Sequence, residues 1–234
     1  MSNLRYPLLD ALRGLAVVLM IAFHFCYDLN YFGFATFELY TAPFWLHSRT
    51  LIVAMFVIIA GMSLYCANHQ GVGRGFWKRE GLLLICSSLI SIGTWFLFKD
   101  TWIFFGVLHF MLLGSVLALP FIHAGKVNII LGILLIIIGN FLSFPFFDQQ
   151  SWQFIGLMTH KPFTEDYVPL LPWFGVLLIG ISLGAQWGKI TYLQRPLTHA
   201  AWKPLLWLGQ HSLIVYMLHQ PLLFTLFWVS FSLR

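Results

Sequence analysis

Residues 8–25 read LLDALRGLAVVLMIAFHF. Apart from Asp10, Arg13 and His24, every position in this stretch is apolar or glycine. At about 1.5 Å per residue such a helix is roughly 27 Å long. A hydrocarbon core about 30 Å thick needs roughly 20 mostly apolar residues, so the stretch reads as a membrane-crossing helix. Working outward, six further runs read the same way: 50–67, 81–98, 103–122, 127–147, 169–186 and 205–231. The expected fold is all-α: a polytopic helical membrane protein of about seven transmembrane helices. The last run is long enough to tilt or to break in two. No linker is long or polar enough to divide the chain, so residues 1–234 read as a single domain.

Composition agrees. The 234 residues are 59% hydrophobic and 9% charged, against about 45–50% and about 25% in soluble domains. Mean hydropathy is +0.83. A water-soluble domain and a disordered chain are excluded. The net charge of +5 forms no basic stripe, which excludes nucleic acid as a partner. Cys26, Cys66 and Cys86 have no metal-ligand spacing and read as small packing residues, so no metal is expected. Asp10 and Arg13 interrupt the first run and no small-residue cleavage site follows, so no cleavable leader is expected.

Lys and Arg in the short loops set orientation. Arg5, Arg13, Arg74, Lys78, Arg79, Lys126, Lys189, Arg195 and Lys203 fall on one side, which is nine; Arg49, Lys99, Lys161 and Arg234 fall on the other, which is four. This bias puts the N-terminus inside, in the cytoplasm, and after seven spans the C-terminus outside. The outer loops, 29–49 and 148–168, are long and rich in aromatics, and Trp45, Trp102, Trp152 and Trp173 fall near the outer interface.

Polar groups at membrane depth are costly and therefore mark candidate function. His24 lies roughly 24 Å from the inner end of its span, and Asp28 follows one turn later on the same face. A carboxylate so placed can orient an imidazole for general-base work. His109, His219, Gln220 and Arg49 fall at the same outer level on three other spans. A second level lies inside: Asp10 pairs with Arg13 across one turn, Gln210 and His211 sit near the inner face, and Arg74, Lys78 and Arg79 form a basic loop suited to phosphate. Gly71-Val72-Gly73-Arg74-Gly75 lacks the Lys-Ser/Thr of a phosphate loop, and neither a His-Glu-x-x-His nor a Gly-x-Ser-x-Gly motif occurs. Gly132, Gly139, Gly175, Gly180 and Gly184 suit close helix packing.

These residues carry a resemblance. Leu9-Asp10-Ala11-Leu12-Arg13-Gly14-Leu15-Ala16, with Met20, His24 and Asp28, resembles the first span of transmembrane acyltransferases. The similarity is greatest to bacterial proteins that resemble the catalytic domain of heparan-α-glucosaminide N-acetyltransferase. It continues through Phe56 to Leu64, Phe105-Gly106-Val107-Leu108-His109, Leu171-Pro172-Trp173-Phe174-Gly175, and Leu208-Gly209-Gln210-His211-Ser212-Leu213 into Tyr216, His219, Gln220 and Pro221. The resemblance implies acyl transfer from cytoplasmic acetyl-CoA or another acyl-CoA to an extracytoplasmic glycan acceptor. It also implies a multi-pass protein in the lipid bilayer of a bacterial inner membrane. A homo-oligomer is compatible with it. The implied catalytic group is a His, and two candidates stay open. The wider acyltransferase pattern points to His24 with Asp28 as orienter. The family pattern places its His in the first outer loop, near Ala35 here, where His47 is the only His. His109, His219, Gln220 and Arg49 would position the acceptor or stabilise an oxyanion, and Arg13, Arg74, Lys78 and Arg79 would meet the CoA phosphates. The competing reading from the same residues is a proton-coupled transporter or flippase for a small polar solute, against which the absence of an evident repeat weighs.

Overall fold

The computed structural model describes residues 6–187 and 197–232, all helix, turn and loop. Arg5, Lys189, Arg195 and Arg234, used above for orientation, lie outside the described residues. Eight α-helices follow one another among those described: α1 Pro7–Tyr31, α2 Pro43–Asn68, α3 Arg74–Leu97, α4 Val107–Leu117, α5 Val127–Phe141, α6 Leu170–Trp187, α7 Lys203–Gln210 and α8 Ser212–Ser232. Five of them, α1, α2, α3, α6 and α8, are long and apolar enough to cross a membrane.

Three expected runs differ in outline. The run at 103–122 forms only 11 residues of α-helix in α4, followed by a short 3-10 turn over Leu119–Phe121. The run at 127–147 stops being α-helical at Phe141. The run at 205–231 breaks at His211 into α7 and α8. The outer loop expected at 29–49 shortens, because α1 continues to Tyr31 and α2 already begins at Pro43. Apolar composition locates a buried segment, but helix ends are set by local chemistry. Pro7 and Pro43 open their helices, where a missing N–H costs nothing. Gly33, at φ +72, turns the chain after α1.

The described chain packs as two compact units. The first takes in residues up to Ile59 and from Ile190 onward, and so holds α1, the first part of α2, α7 and α8. Its tightest seam joins α1 to α7. A Cβ on Gly14 would strike the Leu205 backbone, and one on Gly209 would strike the Asp10 carbonyl. Each helix thus presents a bare glycine to the other's main chain, as close helix packing in lipid requires. Arg13 locks the seam: its guanidinium bonds Asp10 Oδ1 at 2.9 Å and the Gly209 carbonyl at 3.2 Å. The expected Asp10–Arg13 pair is present, and it joins two helices rather than only two turns of one.

The second unit spans Ala60–Lys189. Gly132 on α5 and Gly175 on α6 face each other's backbone, Gly139 abuts Pro172, and Gly184 abuts Met62. These are the close packing roles expected for Gly132, Gly139, Gly175 and Gly184. The buried centre of this unit holds Phe110, Leu177, Leu178 and Ile181.

Candidate active site

In the first unit, α1 and α8 bring four polar side chains together. His24 and His219 meet edge to face, with ring centroids 4.8 Å apart. One turn after His24, Asp28 Oδ1 accepts a hydrogen bond at 2.8 Å from the Nε2–H of Gln220, the residue next to His219. Asp28 is fully buried and His219 nearly so, while His24 is half-buried. Depth alone puts these four residues at one level without saying which way they face; α1 and α8 bring their side chains together.

Hydrogen bonding fixes the chemistry of each ring. A carbonyl can only accept, so His24 Nδ1–H donates to the Met20 carbonyl at 2.9 Å and His219 Nδ1–H donates to the Tyr216 carbonyl at 2.6 Å. In both neutral rings the basic nitrogen is therefore Nε2. The orientation expected from Asp28 is supplied to His24 by the Met20 carbonyl, and Asp28 is held instead by Gln220. The same logic narrows His219. With Nδ1–H committed, its neutral Nε2 presents a lone pair, which suits an acceptor O–H or N–H rather than an oxyanion.

Three buried atoms of this cluster have no hydrogen-bond partner among the described residues: Asp28 Oδ2, His219 Nε2 and Gln220 Oε1. An unpaired buried polar atom costs about 1–3 kcal/mol, so three at one place make this cluster the candidate site. Pro221 follows directly. It lacks an N–H, so the Met217 carbonyl loses its helical partner beside the cluster.

His47, the alternative base, stands exposed on the second turn of α2 with its ring held by the Pro43 carbonyl at 2.6 Å. It is a helix residue, not a loop residue. Arg49 is half-buried on the same helix.

In the second unit His109 is engaged on both sides. The Gly106 N–H donates to its Nδ1 at 3.2 Å, so the proton sits on Nε2, which donates to Ser91 Oγ at 3.0 Å; Ser91 in turn donates to the Ile103 carbonyl at 2.7 Å. The expected oxyanion donor is thus a staple at the start of α4. Asp166 completes that helix start by accepting the Val107 N–H at 2.8 Å, and a Cβ on Gly106 would occupy the place of its carboxylate. This explains the Phe105-Gly106-Val107-Leu108-His109 stretch as a capping device. Asp166 lies 59 positions from its partner, so no local sequence pattern announces it.

The basic residues expected in an inner loop lie on the first two turns of α3. Arg74 and Lys78 are exposed. Arg79 is bound to the buried Glu80 at 2.7 Å and to Ser115 Oγ at 3.2 Å. Arg13 is the helix clamp described above. Arg74 and Lys78 are therefore the better placed pair for an external anion.

The loops of the second unit enclose an open groove of about 460 Å³ lined by Trp102, Phe104, Asp148, Gln153 and Phe163, among others. Its floor is fixed. The Thr159 hydroxyl and backbone N–H both donate to the Asp148 carboxylate, which holds that carboxyl below its ordinary value. Burial pushes the Tyr167 phenol up, and its hydroxyl donates to the Gln153 carbonyl at 2.6 Å.

Compared with known families, residues 5–221 match the one described as heparan-alpha-glucosaminide N-acetyltransferase, catalytic. The matched segment includes His24, Asp28, His219 and Gln220. No curated protein and no solved structure matches.

Proposed function

Because the chain belongs to the heparan-alpha-glucosaminide N-acetyltransferase catalytic family, we propose that it moves an acyl group, acetyl above all, from cytoplasmic acyl-CoA to a hydroxyl or amine of an extracytoplasmic glycan. The observation that carries this reading is the paired imidazoles of His24 and His219, 4.8 Å apart, beside the buried Asp28–Gln220 bond.

In the proposed reaction His24 Nε2 takes the proton of the acceptor as its oxygen or nitrogen attacks the thioester carbonyl. The new C–O or C–N bond forms, the C–S bond breaks, and the CoA thiolate leaves with the proton that His24 returns. General-base catalysis of this kind contributes about 10²–10⁴-fold. His219 Nε2 accepts a second hydrogen bond from the acceptor and orients it. Asp28 and Gln220 hold α1 against α8 so that the two rings keep their spacing. Arg74 and Lys78 meet the CoA phosphates with charge-assisted bonds.

The arrangement in the membrane is part of the proposal. The N-terminus is cytoplasmic. The shorter helices α4 and α5 complete seven crossings with their flanking turns, and the protein resides in a bacterial inner membrane. Single cysteines at positions 78 and 161 test this: a membrane-impermeant maleimide should label 161 from outside and 78 only after permeabilisation.

The reaction is tested with purified protein in nanodiscs, acetyl-CoA labelled in the acetyl group, and methyl β-glucosaminide. Labelled product is expected. Acetyl-CoA should also raise the thermal midpoint, by an amount equivalent to about 2.7 kcal/mol at a hundredfold excess over its dissociation constant. Proton-coupled movement of a small solute with no acetyl transfer would favour the transporter reading instead.

A further inference from the structure

The groove in the loops of the second unit takes no part in the chemistry described so far, yet it is a built feature. Its volume of about 460 Å³ lies within the range of small-molecule sites, about 300–1,000 Å³. Two stretches far apart in sequence are laced together at its edge. The Glu165 N–H donates to the Thr101 carbonyl at 3.0 Å, Thr101 Oγ1 to Glu165 Oε1 at 2.8 Å, and Thr164 Oγ1 to the Trp102 carbonyl at 2.7 Å. These bonds fix the backbone that carries Trp102 and Phe104. The Trp102 ring is backed by Trp95, with centroids 5.2 Å apart, and meets Phe104 at 6.1 Å with the planes inclined at 63°. The rest of the lining comes from residues 148–163, which Asp148 ties together through Thr159. A ligand would therefore meet walls already ordered, which lowers the entropic cost of binding.

The lining mixes two kinds of surface. Trp102, Phe104 and Phe163 supply aromatic rings, and Phe163 is 85% exposed. Asp100, Gln150 and Lys161 supply a carboxylate, an amide and an ammonium. The Asp100 and Gln150 side chains are exposed and make no hydrogen bond among the described residues.

This mixture selects among ligand classes. A hydrocarbon chain would desolvate charged groups without pairing them. An anion would face Asp100 and Asp148 against Lys161 alone. A flat heterocycle would want parallel faces, and the Trp102 and Phe104 planes are inclined at 63°. No group of three His, Cys, Asp or Glu among the described residues could hold a metal ion. A pyranose matches both surfaces. The C–H bonds of one ring face pack on the electron-rich faces of aromatic side chains. Its rim of hydroxyls both donates and accepts, as a carboxylate, an amide and an ammonium require.

We propose that this groove is a carbohydrate-binding site, in which a pyranose packs on Trp102, Phe104 and Phe163 while its hydroxyls bond Asp100, Gln150 and Lys161. The binding is independent of the reaction. That the bound glycan is the acceptor rests on the acyltransferase reading, under which both loops face outside.

The test uses the full chain in nanodiscs and three photoreactive β-glycosides, of glucose, galactose and N-acetylglucosamine, each with a small diazirine aglycone. With at least one of them, adducts are expected within 100–104 and 148–163. Excess of the matching methyl glycoside should displace them, and glycerol, inorganic phosphate and decanoate should not. Absence of displaceable adducts at the groove with all three probes would overturn the proposal, and so would displacement by phosphate or decanoate instead. Phe163→Ala and Asp100→Ala alter exposed side chains, so the fold should survive. Each should raise the Kd read from the displacement curve by about 2–12-fold, the loss expected of one ring contact or one hydrogen bond. His24→Ala, in the other unit, should leave labelling of the groove unchanged. A Kd unmoved by both groove variants would contradict the proposal. Saturable labelling of the groove without acetyl transfer to any glycan would refute the acyltransferase reading alone, whereas transfer without such labelling would refute the carbohydrate site alone.

Discussion

Replacing Gln220 by Ala should loosen the joint between α1 and α8, and the size of the effect follows from the structure. The variant removes the N–H that holds Asp28 Oδ1 at 2.8 Å. Asp28 is fully buried and its Oδ2 already lacks a partner among the described residues, so neither oxygen would then be satisfied. A hydrogen bond to a charged group is worth about 1.5–3 kcal/mol. The gain in helix propensity from Gln to Ala is only a few tenths of a kcal/mol and does not offset it. A net loss of about 1.5–3 kcal/mol corresponds to a fall in thermal midpoint of roughly 3–12 °C for a chain of this size. The assay is thermal unfolding followed by tryptophan fluorescence in one detergent, on parent, Asp28→Ala, Gln220→Ala and the double variant. Once Asp28 is absent, Gln220→Ala should cost little, so the cycle should return a coupling of about 1.5–3 kcal/mol. A coupling below about 0.5 kcal/mol, the value expected of independent sites, would refute the assignment of this bond as the clamp beside the imidazoles.

Gly209→Ala places a methyl against the Asp10 carbonyl, and main chain cannot step aside as a side chain can. A loss of about 1–3 kcal/mol is expected, visible as a reduced yield of monodisperse protein. Gly73→Ala, which meets nothing within 4 Å, should be neutral in the same measurement. His109→Ala should destabilise by about 1–3 kcal/mol through lost hydrogen bonds yet leave transfer per folded molecule close to the parent's; loss of transfer at unchanged stability would return His109 to the active site. The Asp148 carboxyl is held below its ordinary value by Thr159. Its contribution to loop order is therefore complete above the unfolded value of about 4 and is lost as pH falls through the depressed one. Limited proteolysis around 148–160 should accelerate only in that acid range, and Asp148→Asn should show the acceleration already at neutral pH.

Much of this architecture is legible in the chain because membrane burial leaves a strong compositional mark. The run at 8–25 locates α1, and the break within 205–231 was open to view once its length exceeded one crossing. Depth arithmetic put His24, Asp28, His219 and Gln220 at one level, and the two helices do bring them together. Depth does not give azimuth, however, so it also admitted His109, which the structure ties to Ser91 and Gly106. A charged neighbour at i+4 suggested that Asp28 orients His24, but a helix carbonyl four residues back competes for the same imidazole N–H and holds it. Arg79 was read as free although one partner, Glu80, is the next residue; its other partner, Ser115, lies 36 positions away. Asp166 and the loop groove were missed because each depends on pairing between distant segments, and neither leaves a periodic signal.

The central claim is that the α1–α8 imidazole cluster performs acyl transfer with His24 as base. The most direct measurement is single-turnover transfer of labelled acetyl from acetyl-CoA by the parent, His24→Ala and His47→Ala, each first shown to be folded and to bind acetyl-CoA. His24→Ala should lose about 10²–10⁴-fold, and His47→Ala should retain most of the parent rate, because its ring is exposed on the second turn of α2. Abolition of transfer in His47→Ala with most of the rate surviving in His24→Ala would contradict the account and move the base to His47.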